Sequence, residues 1–235
     1  MASPRKTIRA LGFVALASTS CVPRPGDVQG RSISDLYSFF SVLAAIIFVV
    51  TAGLIAWSIV RYRARPGDDE LPKQFRSNVR LELLWFVIPQ IIVVVLFVGS
   101  VLTLNDVDER ASDPAVTVNV EGFQWGWRFT FEDAGVTVEG TASEPPEIYL
   151  PIRQTIAFVL NSNDVVHSFY VPRFLMKRDL IPGRTNRFDV YIDEAGLYGG
   201  ECAEFCGLLH ADMDFRIRAV PEPEFEEWLD SQEGG

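Results

Sequence analysis

Two long uncharged apolar runs constrain this chain more than anything else in it. Leu36 to Val60 and Leu83 to Asn105 hold no charged residue, and each exceeds the ~20 residues that a helix needs to cross a hydrocarbon core of ~30 Å. A segment in lipid must satisfy its own backbone polar groups, so both runs are predicted to be transmembrane helices. Pro89-Gln90 lies inside the second run, which a membrane helix tolerates when a neighbour re-satisfies the freed carbonyl. The alternative, a core helix of a soluble protein, fits poorly with two such runs in one chain. Between them, Arg61, Arg63, Arg65, Lys73, Arg76 and Arg80 outnumber Asp68, Asp69 and Glu70, and short basic loops stay in the cytoplasm. The expectation is a hairpin over residues 36–105, with helices at about 36–60 and 83–105, a cytoplasmic loop 61–82 and both ends outside.

Residues 1–20 open with Arg5, Lys6 and Arg9 and continue through the short apolar stretch Leu11 to Ala17. This is the pattern of an export signal rather than of a spanning helix. Ser18-Thr19-Ser20 then precede Cys21, in the manner of a bacterial lipoprotein processing site that would make Cys21 the lipid-bearing first residue of the exported segment 21–35. Ser18 stands where such sites usually carry leucine, and ordinary cleavage nearby would leave Cys21 unmodified.

From Asp106 onward the chain changes character. Ten Lys and Arg face 25 Asp and Glu there, within a whole-chain charge of -10. An acidic exported region repels nucleic acid and attracts a basic partner. Short alternating or β-branched runs follow one another: 116–120, 127–131, 136–138, 148–150, 155–160, 187–192 and 215–220, separated by Gly, Pro, Asn and Asp. Residues 106–235 are therefore predicted to form an all-β sandwich or small barrel. The tail beyond Pro221, with Phe225, Trp228 and Leu229 at helical spacing, reads as a short amphipathic helix.

Chemistry concentrates in the loop from Cys202 to Met213, where Cys202, Glu204, Cys206, His210 and Met213 crowd together. The chain has only two histidines and three cysteines, so few spare ligands exist. Thiolate, imidazole and thioether form a soft set that suits copper and electron transfer. His167, just after the strand expected to end at Leu160, is placed to supply a second imidazole. Two cysteines in one loop can both bridge a pair of metals, which spreads one electron over two ions and keeps the geometry change small. A disulfide is the competing reading in an oxidising compartment, but it leaves His210 and Met213 unexplained. Zinc is another, and it has little use for methionine.

With these residues in place, the chain resembles subunit II of the bacterial haem-copper cytochrome c oxidases over nearly everything after the signal. The resemblance implies a cupredoxin-like domain behind the transmembrane hairpin, with a dinuclear CuA centre of two copper ions. Cys202 and Cys206 would bridge both coppers, His167 and His210 would each bind one, and Met213 would be a weaker ligand. Glu204 would offer its backbone carbonyl to copper and its side chain to a magnesium shared with subunit I. The segment Lys177 to Arg184 resembles the part of the family that lies against subunit I. Within Phe123-Gln124-Trp125-Gly126-Trp127, Trp125 matches the residue through which cytochrome c delivers electrons, although Gly126 stands where the family commonly has tyrosine. Glu82 matches a glutamate at the cytoplasmic mouth of a proton pathway, its bland alternative being a helix-cap carboxylate.

The resemblance thus implies the electron-accepting subunit of a proton-pumping enzyme in the bacterial cell membrane, working with subunits I and III, its copper domain on the outer face. This chain alone would not reduce oxygen, since it lacks histidines for haem. Two readings from other classes are a stand-alone copper carrier or electron shuttle, and a quinol-oxidising relative that has lost copper. The two membrane runs argue against the first and the intact ligand set against the second.

Overall fold

The computed structural model describes residues 24–63 and 74–233. Residues 1–20, read from the sequence as an export signal, lie outside the described residues, as do Cys21 and residues 64–73 of the loop between the apolar runs. Both apolar runs are helical: α1 spans Val28–Arg61 and α2 spans Val79–Val107. They extend beyond the uncharged runs because their ends are capped in polar sequence. At the start of α2, Asn78 Oδ1 accepts the Leu81 N–H at 3.3 Å, and Glu82 Oε1 accepts the Asn78 N–H at 3.0 Å. That reciprocal cap satisfies donors which the first helical turn leaves open. Apolar side chains point outward all around both helices, with Phe48, Val60, Phe86, Phe97 and Leu102 each more than 60% exposed. Outward-facing apolar surface of this extent is what lipid covers.

The second compact unit combines residues 22–34 with 104–235. Its strands are β1 Val116–Phe123, β2 Gly126–Phe131, β3 Thr137–Thr141, β4 Glu147–Pro151, β5 Thr155–Ser162, β6 His167–Val171, β7 Met176–Leu180, β8 Asn186–Tyr191, β9 Gly196–Cys202 and β10 Asp214–Val220. They form two five-stranded sheets, ordered β3-β2-β1-β5-β8 and β4-β10-β9-β6-β7. β1 runs parallel to β5 and β10 parallel to β4, while the other pairs are antiparallel. This is the expected cupredoxin-like sandwich. Inward positions alternate with outward ones, as along β1, where every second residue from Val116 is buried. A cluster of rings fills the interior between the sheets: Trp127 with Phe215 at 5.1 Å, Phe169 with Phe215 at 4.7 Å, and Phe158 with Phe169 and Phe188 at 5.0 and 5.2 Å. Helix α3, Glu222–Glu233, closes one side by laying Trp228 parallel to Tyr149, with ring centres 5.1 Å apart.

Three strands were not expected. β9 carries Gly196, Gly199 and Gly200, which weaken local strand preference. β7 presents Lys177, Arg178 and Asp179 at a sheet edge, and β6 begins with two buried polar residues, His167 and Ser168. Each is a strand because its neighbours pair with it, not because its own residues favour one.

The stretch before α1 belongs to this β unit. Gly26 donates its N–H to the Arg173 carbonyl at 2.8 Å, Asp27 bridges Ile192, and Gln29 accepts the Tyr191 N–H at 3.1 Å. Arg31 pairs with Asp193 at 2.9 Å. Asp27 is fully buried: its Oδ2 accepts the Gly30 N–H at 3.2 Å and its Oδ1 has no partner among the described residues.

Candidate metal centre

β6 begins at His167 and β9 ends at Cys202, and the two strands pair with Phe169 opposite Cys202. This register carries both residues to the same end of the sheet although 35 positions separate them. The loop that follows is pinned at its base. Ala203 donates its N–H to the Ser168 carbonyl and Cys202 to the Met213 carbonyl, both at 3.1 Å. Trp127, fully buried in β2, donates its indole N–H to the same Met213 carbonyl at 3.1 Å. A short 3-10 helix, His210–Asp212, turns the chain back into β10.

Within this frame the donor atoms converge. Cys202 Sγ lies 3.9 Å from both Cys206 Sγ and His167 Nδ1. Cys206 Sγ lies 3.7 Å from His210 Nδ1 and 3.8 Å from Met213 Sδ. Each sulfur therefore faces its own imidazole. A disulfide would require ~2.05 Å, so the thiols are unbonded. Two ligands each ~2.2 Å from a tetrahedrally coordinated ion lie about 3.6 Å apart, close to these separations. His167 and Met213 are fully buried and the two cysteines nearly so, whereas His210 sits at the rim with the exposed Phe205 ring edge-on to it at 5.7 Å.

Charge is arranged around the donors. Asp164 Oδ1 accepts from His167 Nε2 at 2.9 Å, which leaves Nδ1 facing the sulfurs. Burial alone would raise the Asp164 carboxyl, but hydrogen bonds from the Val165 N–H, His167, the Gln124 N–H and Ser162 together hold it below the usual range. Burial also works against protonation of His167, yet contacts with Cys202 and Asp164 raise its pKa. The two thiols split. Cys202 is lowered despite its burial, through His167 and the nearby backbone. Cys206 is raised by burial and then by the negative charge that Cys202 would carry. A cation between the sulfurs removes the conflict, because it is the missing positive charge. His167, Cys202 and Cys206, whose donor atoms all lie within 4.8 Å of one another, fit a copper site.

The family model for the periplasmic domain of cytochrome c oxidase subunit II matches residues 116–220, and that for the transmembrane domain of the same subunit matches residues 28–102. Cytochrome c oxidase subunit 2 of Alkalihalophilus pseudofirmus is 34% identical over 94% of this chain and 66% of its own length. The probable cytochrome c oxidase subunit 2 of Streptomyces coelicolor is 32% identical over 96% of this chain and 86% of its own. The chain belongs to the cytochrome c oxidase subunit II family. Among solved structures, the periplasmic domain of subunit II of cytochrome oxidase from Bradyrhizobium japonicum matches 53% of this chain and 98% of that one, at 28% identity and a TM-score of 0.49. Membership makes this a subunit-II protein of an oxidoreductase complex, with two membrane helices and a copper-binding β domain.

Several residues that the sequence singled out occupy informative places here. Trp125 lies in the turn between β1 and β2, partly buried, and donates its indole N–H to the Cys206 carbonyl at 3.2 Å. Gly126 has no room for a side chain: a Cβ would stand 2.3 Å from the Gly140 carbonyl oxygen. The Glu204 carbonyl lies 3.3 Å from Cys202 Sγ, facing the donors, while its carboxylate pairs with the Lys177 ammonium. Glu82 is engaged in the α2 cap described above. Sequence reasoning missed Asp164, the support of His167, and the tie from Trp127 to Met213. The first had a signal, a carboxylate three residues before a ligand histidine; the second depends on strand register alone.

Proposed function

We propose that this protein is the electron-accepting subunit of a cytochrome c oxidase. His167, Cys202, Cys206, His210 and Met213, with the Glu204 carbonyl, would hold two copper ions that receive electrons from cytochrome c and pass them to haem in subunit I. There oxygen is reduced to water and protons are pumped. The observation that carries this reading is the pair of unbonded thiols 3.9 Å apart, each facing a different imidazole nitrogen.

The bound copper pair supplies a one-electron store shared over two ions. What the chain supplies is geometry and exclusion of water. Asp164 fixes the ring of His167, the Trp127 indole and strand pairing hold the loop base, and the buried sulfurs are kept from solvent. A rigid donor set changes little between oxidation states, which keeps transfer fast. Trp125 is the inlet, joined to the loop through the Cys206 carbonyl. The domain would lie on the outer face of the bacterial cell membrane, where its acidic surface would steer a basic cytochrome. A polar cleft of about 410 Å³, in which Arg110, Lys177, Arg178, Arg184 and Arg187 outnumber Asp108 and Asp179, supports a face for an anionic part of subunit I. Magnesium would sit at the Glu204 carboxylate, displacing Lys177, when that face is covered. Glu82 would help load protons at the opposite face once released from its cap, and subunit III completes the complex.

A metal count with electron paramagnetic resonance on the copper-loaded full chain tests the proposal. Two coppers sharing one unpaired electron are expected, and a single copper or a zinc ion would refute it.

A further inference from the structure

One acceptor in the metal loop gathers two side-chain donors: the Cys206 carbonyl. Gln124 Nε2–H donates to it at 2.7 Å and Trp125 Nε1–H at 3.2 Å. The backbone N–H of Gln124 donates to Asp164 Oδ2 at 2.7 Å, and the other oxygen of that carboxylate accepts from His167 Nε2 at 2.9 Å. Gln124 is thereby connected to both parts of the ligand set, through its side chain to Cys206 and through its backbone to His167. Gly207 follows with φ of +122°, and a Cβ there would stand 2.9 Å from Trp125 Cζ2 and 3.2 Å from Gln124 Nε2. The two side chains are seated on the loop without slack.

We propose that Gln124 is a positioning residue for electron transfer: its carboxamide holds the Cys206 peptide, and so the Trp125 indole, in the register that joins them by one hydrogen bond. This rests on the reading of Trp125 as the inlet. From the indole, the covalent route to Cys206 Sγ runs through the Cys206 carbonyl, Cα and Cβ, and the hydrogen bond is the single non-covalent link in it. Both lone pairs of that carbonyl are used by the two donors. Donors aimed there also favour extra negative charge on the neighbouring thiolate, and hydrogen bonding around a copper-binding cysteine tunes its potential.

The test uses the assembled oxidase. Gln124→Met keeps the side chain's length and the backbone bond to Asp164 but removes the donor. Gln124→Glu sets a carboxylate oxygen against the carbonyl oxygen. Expected for Gln124→Met are full copper content, a lower midpoint potential at the copper centre, and a kcat for cytochrome c oxidation reduced about twofold to tenfold, the range one lost hydrogen bond spans. Gln124 is exposed beside the inlet, so KM is read alongside: a change confined to KM, with potential and kcat unaltered, would assign Gln124 to docking and overturn the proposal. Gln124→Glu should lower kcat further. Trp125→Phe, run alongside, removes the indole N–H; if it leaves kcat unchanged, the inlet reading fails and takes this proposal with it. If Trp125→Phe slows the enzyme while Gln124→Met leaves potential and kcat at their original values, this proposal alone is overturned. Loss of copper in Gln124→Met would equally overturn it, by assigning Gln124 a purely structural role.

Discussion

Replacing Asp27 by asparagine should stabilise the β unit, and only above acidic pH. Asp27 is fully buried, one of its oxygens has no partner among the described residues, and burial pushes its carboxyl up from 3.8 to about 7, with Asp193 adding to the rise and the Gly30 N–H and Arg31 opposing it. In the unfolded chain the same group ionises near its ordinary value. Below pH ~4 both states keep the proton and Asp27 costs nothing. Between pH ~4 and ~7 the unfolded state releases it while the folded state retains it, so stability falls as pH rises, by about 1.4 kcal/mol per unit. Over roughly three units this amounts to about 4 kcal/mol, constant above the folded pKa. Asparagine keeps an oxygen for the Gly30 N–H and is itself a good helix cap, but it does not ionise. Its amide carries a cost: an unsatisfied N–H where Oδ1 now lies costs about 1–3 kcal/mol. That cost does not titrate, so it cancels when two pH values are compared. Unfolding of the detergent-solubilised full chain, followed by tryptophan fluorescence from pH 4 to pH 8, measures the difference directly. The gap between variant and wild type should widen by about 4 kcal/mol, on the order of 10 °C in Tm. Parallel stability curves for the two proteins would refute the reasoning.

Other substitutions probe the centre and its support. Asp164→Ala frees the His167 ring, and loss of such an outer partner should weaken copper binding about 10–100-fold, measured by competition with a chelator of known affinity; unchanged affinity would deny the carboxylate its role. Gly207→Ala introduces a Cβ 2.9 Å from the Trp125 ring at a φ of +122°, so it should cost about 1–3 kcal/mol in backbone strain and shift the Trp125 fluorescence. Trp228→Ala removes the ring stacked on Tyr149 at 5.1 Å and should cost about 2 kcal/mol, below the usual range for a fully buried Trp, because Trp228 is only partly covered. Thermal unfolding with copper absorption as a second signal would show that loss without an altered metal site.

How much of this was legible in the sequence depended on how local each cause is. The membrane helices were visible because hydropathy belongs to the residues themselves: Leu36 to Val60 and Leu83 to Asn105 are uncharged in any fold. Seven strands were visible from alternation and turn residues, and α3 from the spacing of Phe225, Trp228 and Leu229. The soft donors of the loop likewise declared copper chemistry, since thiolate, imidazole and thioether have their preferences before folding. The ends of the helices were less legible, because the Asn78–Glu82 cap extends α2 through polar residues.

Only tertiary structure decided the rest. β6, β7 and β9 exist because neighbours across the sheet complete their hydrogen bonds, and no property of Gly199-Gly200 or Lys177-Arg178-Asp179 announces that pairing. The register of β6 on β9 brings His167 against Cys202; a shift of one residue would turn its side chain to the other face. The seat of Asp27 beneath the β unit, the support of Met213 by Trp127 and the meeting of Gln124 and Trp125 on one carbonyl are likewise products of register. Sequence determines which atoms can bind a metal or enter lipid. Whether they meet depends on partners far along the chain, since the hydrogen bonds that place them are made between segments and not within them.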